Sequence, residues 1–169
     1  MATTLFETSV PLEPINVIRG SSSNDSLIGT SNDDILTGLA GDDILFGLQG
    51  NDYLVGDNGV GGNGNDILNG GKGSDILQGD GGNNLLVGGA GNDKFFIGLE
   101  MGINTILDFT KNQDILDLSG LRFNEILISP VTNGTLITRA SNGEILATLV
   151  GVAPSLIGPE NFVNPYKLG

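Results

Sequence analysis

The sequence predicts an all-β fold made by stacking short copies of one unit. Three observations carry that expectation: a nine-residue repeat, glycine at the head of every copy, and strand-forming residues at its tail. From Gly20 to Phe96 the chain divides into GSSSNDSLI, GTSNDDILT, GLAGDDILF and GLQGNDYLV, then the insertion GDNGV (Gly56–Val60). GGNGNDILN, GGKGSDILQ, GDGGNNLLV and GGAGNDKFF follow. Position eight is apolar in every copy: Leu27, Leu36, Leu45, Leu54, Leu68, Leu77, Leu86 and Phe95. Position six is Asp25, Asp34, Asp43, Asp52, Asp66, Asp75, Asn84 and Asp93.

Each part of the unit has a physical reading. Glycine tolerates positive φ and close backbone approach, so the first six residues form a tight loop. The last three, such as Ile76-Leu77-Gln78, are rich in strand formers. A strand of that length buries nothing alone, so the units must stack on one another, with position eight pointing inward as the core.

Composition narrows the function. The chain of 169 residues has no Cys and no His. That excludes disulfides, thiolate or imidazole metal ligands, Cys or His nucleophiles and the commonest general base. Twenty acidic residues face seven basic ones, a net charge of −13, which repels nucleic acid and anionic lipid and attracts cations. Residues 1–19 read as a lead-in, with Leu5, Phe6 and Ile15–Ile18 as candidates for a covering strand. No basic n-region marks a Sec-type signal, and no run reaches the ~18 apolar residues of a membrane span.

The nonapeptide over Gly20–Phe96 resembles the glycine- and aspartate-rich repeat of RTX (repeats-in-toxin) proteins, a calcium-binding parallel β-helix unit. The resemblance implies a right-handed parallel β-roll with two nonapeptides per coil, so that each copy lies under the next but one. It also implies calcium as the cofactor and export by a non-Sec type I route, with the chain unfolded inside and folded outside.

Spacing supports the calcium expectation. Neighbouring strands lie about 4.7–4.9 Å apart, so carboxylates stacked at position six would repel by about 3–4 kcal/mol at an effective dielectric of about 20. Calcium binds oxygen at about 2.3–2.6 Å, half that spacing, whereas magnesium prefers about 2.1 Å and near-octahedral order. Aspartate also favours turns, but turns alone do not require it at one position in seven of eight copies. The expected ligands are Asp25, Asp34, Asp43, Asp52, Asp66, Asp75, Asp93 and Asn84, holding roughly four to six ions.

Alternation puts Asp25, Asp43, Asp66 and Asn84 on one edge and Asp34, Asp52, Asp75 and Asp93 on the other. Both irregularities, the insertion before the fifth copy and Asn84, fall on the first edge. Three sound sites are therefore expected on the second edge and one, Asp25/Asp43, on the first. Asp43/Asp66 must span the insertion, where Asp57 is a substitute ligand. Outward positions on the first-edge copies form an apolar stripe, Ile44, Phe46, Ile67, Leu85 and Val87, expected to meet a partner or a second copy.

After Phe96 the glycine repeat stops, and residues 97–169 read as a mainly antiparallel β cap. NTILDF (104–109), DILDL (114–118), EILIS (125–129), TLITR (135–139) and EILATLV (144–150) are strands, with turns at Asn133-Gly134 and Asn142-Gly143. Pro154, Pro159 and Pro165 punctuate a tail with room for one short helix. Phe95–Gly98, Ile106–Phe109 and Asp114–Leu118 resemble the cap that follows the repeats in many secreted RTX proteins. Asp108, Asp114 and Asp117 invite a carboxylate-catalysis reading, but solvated strand ends or an extra calcium ligand set suit them better. Without His there is no H-E-x-x-H, and G-x-S-x-G and P-loop motifs are absent.

These readings converge on a non-catalytic calcium-binding roll that folds on binding calcium, at about 10⁻⁴–10⁻³ M, and serves as a secreted structural or interaction module. The alternatives are an intracellular calcium buffer or sensor, and a non-catalytic fragment of a larger secreted RTX enzyme.

Overall fold

Residues 15–57 and 62–163 are described in a computed structural model of the chain, and no α-helix occurs among them. Two sheets face each other. One contains, in spatial order, β1 (Asn16–Arg19), β3 (Asp34–Leu39), β5 (Tyr53–Asp57), β7 (Ile76–Gln78), β9 (Lys94–Phe96) and β11 (Ile115–Asp117). The other runs β2 (Ser26–Ile28), β4 (Ile44–Gln49), β6 (Ile67–Lys72), β8 (Asn83–Ala90), β10 (Ile103–Ile106), β14 (Ile145–Val150), β13 (Gly134–Arg139) and β12 (Ile126–Val131). Successive nonapeptides alternate between sheets, so two make one coil of a parallel β-roll.

Register follows the repeat. Leu36 lies beside Leu54, Leu54 beside Leu77, and Leu77 beside Phe95. In the facing sheet Leu27, Leu45, Leu68 and Leu86 align. From the second copy onward every position-eight side chain is fully buried. The two rows form the apolar core of the repeat region, because each short strand can bury only its central residue between two thin sheets.

The parallel stacking outlasts the glycine repeat. β10 continues on β8 and β11 on β9, both parallel, so Phe96 marks the end of the sequence pattern rather than of the coil. β14 then adds parallel to β10, and only β12–β13–β14 are antiparallel. Ile106, Leu116 and Leu149 extend the core rows, joined by Ile97, Phe109, Leu118 and Phe162. Both expected hairpins form, with Asn133 at φ 60° and Gly143 at φ 75° supplying the left-handed turn residues.

Several expectations are refined. The lead-in supplies β1, paired with β3, whereas Leu5 and Phe6 lie outside the described residues. The tail carries two 3₁₀ turns, Pro154–Leu156 and Pro159–Asn161, where one short helix was expected, and Pro165 lies outside the described residues. The insertion does not precede the fifth loop but lies within it. Gly56 and Asp57 complete β5 in register with β3, and the extra chain follows Asp57. Residues 58–61 fall outside the described set. Ile44 and Ile67 of the apolar stripe are exposed, and Phe46, Leu85 and Val87 are half-buried. Ile35, Tyr53 and Ile76 occupy the same outward row of the opposite sheet, so apolar outward positions are not a mark of one edge.

Candidate metal centre

Stacking brings the position-six residues into two ladders. On one edge the backbone N–H of Asp25 donates to Asp43 Oδ1 (2.7 Å), that of Asp43 to Asp66 Oδ1 (2.8 Å), and that of Asp66 to Asn84 Oδ1 (3.0 Å). On the other, Asp34 donates to Asp52 Oδ1 (2.8 Å), Asp52 to Asp75 Oδ1 (2.8 Å), and Asp75 to Asp93 Oδ1 (2.9 Å). Each carboxylate thus uses one oxygen to hold the preceding coil.

The second oxygen is the informative one. Oδ2 of Asp43, Asp52, Asp66, Asp75 and Asp93 is buried and has no hydrogen-bond donor. Such a group costs several kcal/mol unless something positive meets it. Glycine at position one brings carbonyl oxygens to the same place: a Cβ on Gly47 would clash with Asp52 Oδ2 and lie 2.6 Å from the Gly70 carbonyl oxygen. A Cβ on Gly56 would likewise meet Asp66 Oδ2 and the Gly79 carbonyl oxygen, which identifies Gly56 as position one of the fifth loop. No three acidic side chains gather at one point among the described residues, so each gap offers carboxylate pairs supplemented by carbonyls. Buried oxygens without donors, at strand spacing, fit a hard divalent cation of calcium's size.

Burial pushes the carboxyl groups of Asp66 and Asp75 up to about 7, and those of Asp52 and Asp93 up to about 6. Carboxylates in adjacent coils raise them further.

The ladders end differently from their middles. Asp25 Oδ2 accepts from the backbone and hydroxyl of Ser21, and Asp34 Oδ2 from those of Thr30. Local donors therefore meet the Oδ2 atoms of Asp25 and Asp34, whereas Asp43 and Asp52, their partners in the first pairs, keep Oδ2 atoms without donors. At the other end the second edge continues into Asp114, whose Oδ1 accepts from Asp93 N–H (2.9 Å) and Oδ2 from Thr110 N–H (2.7 Å). This continuation escapes the nonapeptide pattern, because Asp114 stands 21 residues after Asp93 instead of 18.

Asn84 differs from the aspartates of the ladder in one half of its side chain. Its Oδ1 takes the usual ladder place, but Nδ2 stands where Oδ2 would be and donates to the carbonyls of Asp80 (3.1 Å) and Gly81 (3.3 Å). It also reaches Asn104 Oδ1 at 3.4 Å, and Asn104 is its partner in β10. The side facing the cap is closed by N–H donors, and Oδ1, which accepts from Asp66 N–H, is the one side-chain oxygen that Asn84 brings to the ladder.

A second ladder, at position five, was not foreseen. Asp42 N–H donates to Asn24 Oδ1 (3.0 Å), Asn65 N–H to Asp42 Oδ1 (2.7 Å), and Asn83 N–H to Asn65 Oδ1 (3.0 Å). On the other edge Asn51 N–H donates to Asp33 Oδ1 (2.7 Å) and Ser74 N–H to Asn51 Oδ1 (2.8 Å). Here the later coil donates, opposite to position six. Asn65→Ala is expected to lower stability by about 1 kcal/mol in denaturant titrations at saturating calcium.

The three acids considered for catalysis are engaged in the stack. Asp108 accepts from Gly88 N–H (3.0 Å) and Gly89 N–H (2.7 Å), Asp114 belongs to the ladder, and Asp117 pairs with Lys94 at 3.9 Å.

A family model described as the RTX calcium-binding nonapeptide repeat (4 copies) matches residues 15–45, 28–60 and 60–95. Among solved structures, the chain is similar to the R3 subunit of the Azotobacter vinelandii mannuronan C5-epimerase AlgE6, at 23% identity and TM-score 0.49, covering 93% of this chain and 83% of that one. The R2 subunit of the same enzyme matches at 25% identity and TM-score 0.45, covering 90% and 94%. Extracellular lipase LipA from Serratia marcescens matches at 16% identity and TM-score 0.42, covering 90% of this chain and 40% of that one. No curated protein matches significantly.

Proposed function

We propose that this chain, whose residues 15–95 match a model of the RTX calcium-binding nonapeptide repeat, is a secreted, non-catalytic module whose β-roll folds on binding calcium outside the cell. The observation that carries this reading is the run of buried, donor-free Oδ2 atoms on Asp43, Asp52, Asp66, Asp75 and Asp93. Asp25 and Asp34, where calcium replaces the Ser21 and Thr30 donors, and the Oδ1 of Asn84 complete the ligand set, and Asp114 extends the ladder beyond it. In this reading residues 20–96 are the calcium-responsive roll, 97–169 its cap and 1–19 the covering lead-in.

The chain's own residues supply the coupling. Without a cation, stacked carboxylates repel across each gap, and the glycine-rich loops lose much conformational entropy on ordering. Bound calcium supplies the positive charge between coils, so binding free energy becomes folding free energy. The low affinity of about 10⁻⁴–10⁻³ M typical of extracellular modules would leave such a roll unfolded inside a cell and folded outside.

Circular dichroism of the full chain during calcium titration tests this. The expected result is a cooperative gain of β signal with calcium, reversed by chelator and not reproduced by equal magnesium. A β-rich spectrum indifferent to chelator would overturn it.

A further inference from the structure

Asp57 and Asp80 lie outside the position-six ladders, yet both are almost fully buried, at 0% and 5% exposure. They occupy position two of successive loops on the irregular edge, 23 residues apart, the same offset that separates Asp52 from Asp75 across the insertion. Asp57 N–H points to the Gly79 carbonyl at 3.4 Å, which places the two residues one coil apart.

Each carboxylate is half satisfied. Gly64 N–H donates to Asp57 Oδ2 (3.1 Å), and Gln78 Nε2 donates to Asp80 Oδ1 (2.6 Å). Gln78 is oriented in turn by the Tyr53 hydroxyl, which donates to its Oε1 at 2.9 Å. Asp57 Oδ1 and Asp80 Oδ2 are buried with no donor. The ion pairs Lys94–Asp117, Lys111–Glu160 and Arg139–Glu144 all lie away from these two carboxylates.

We infer that Asp57 and Asp80 hold a calcium ion of their own, an added site that the nonapeptide scheme does not contain. Two buried carboxylates one coil apart have the spacing and hard oxygen chemistry that calcium takes. The position also has a reason. The seventh repeat lacks the position-six carboxylate and carries Asp80 at position two instead. The fifth loop, one coil earlier, carries Asp57 there and has the extra chain that returns over it at Gly62–Gly64. The charge missing at Asn84 is thus restored at a different place between the same two coils.

This inference rests on the calcium reading of the roll, and its test separates the two. Calcium bound per full-length chain is counted by native mass spectrometry at saturating calcium, for the wild type, D80N, D57N and D57N/D80N. The double variant is expected to bind one ion fewer than wild type while keeping the calcium-induced circular dichroism change. If the double variant fails to fold, D80N decides, because its amide oxygen still accepts from Gln78: one ion fewer supports the site, and an unchanged count overturns it. An unchanged count in a folded double variant overturns it too. A wild-type chain that binds no calcium overturns both this site and the calcium-folding reading.

Discussion

Asp75→Ala is expected to raise the calcium midpoint of folding by about tenfold or more, and to do so more than Asp66→Ala. Asp75 borders two gaps on the edge where every ladder residue is a carboxylate, from Asp34 to Asp114. Truncation removes its donor-free Oδ2 from the site and strips Asp52 N–H of its 2.8 Å acceptor. A buried N–H left without a partner costs about 1–3 kcal/mol by itself. Asp66 makes the same two ladder bonds, but its neighbour on one side is Asn84, and Asp57 lies near enough to act on its charge. Asp75→Asn separates the terms, because its amide oxygen can still accept from Asp52. Calcium titrations followed by circular dichroism measure all three variants, and equal midpoint shifts for Asp75→Ala and Asp66→Ala would remove the asymmetry between edges.

The metal-free chain should become more folded as pH falls from 8 to 5, the reverse of ordinary acid denaturation. Burial raises Asp66 and Asp75 to about 7 and Asp52 and Asp93 to about 6, above the 3.8 of an unfolded aspartate. The sign follows from linkage: a carboxyl whose folded pKa is raised binds protons more tightly in the fold. Its destabilising effect is complete above the folded pKa and is relieved as pH drops through about 7 and 6 toward 3.8. Protons then do weakly what calcium does strongly, neutralising the stacked charges. Calcium competes with those protons, so the calcium midpoint should rise over the same interval. Circular dichroism of the chelated chain at a series of pH values, paired with calcium titrations at each, reads both trends. A chelated spectrum that stays flat from pH 8 to 5 would uncouple the buried carboxylates from folding.

Much of this was legible in the residues because the repeat is short and strict. Position eight recurs as Leu or Phe, so its burial in two rows follows from the period alone. Position six recurs as aspartate, and stacking at strand spacing turns that recurrence into two columns of charge. The turns at Asn133-Gly134 and Asn142-Gly143 were equally plain, since few residue pairs suit positive φ so well. The position-five ladder was hidden because Asn24, Asp33, Asp42, Asn51, Asn65, Ser74 and Asn83 vary in type. What they share is a side-chain oxygen or a backbone N–H at the correct height.

The all-β stacked repeat and its inward apolar rows follow from local residue properties multiplied by a period, and the same period sets the expectation of oxygen ligands spaced for calcium. Which oxygens remain without donors depends on how the coils stack. Stacking gave the Oδ2 atoms of Asp25 and Asp34 donors from Ser21 and Thr30, extended one edge to Asp114, turned the amide nitrogen of Asn84 toward the cap, and buried both Asp57 and Asp80. The physical reason is that a carboxylate's need for a cation depends on every donor within hydrogen-bond reach. Those donors come from neighbouring coils and from loops whose register is fixed only when the chain is stacked.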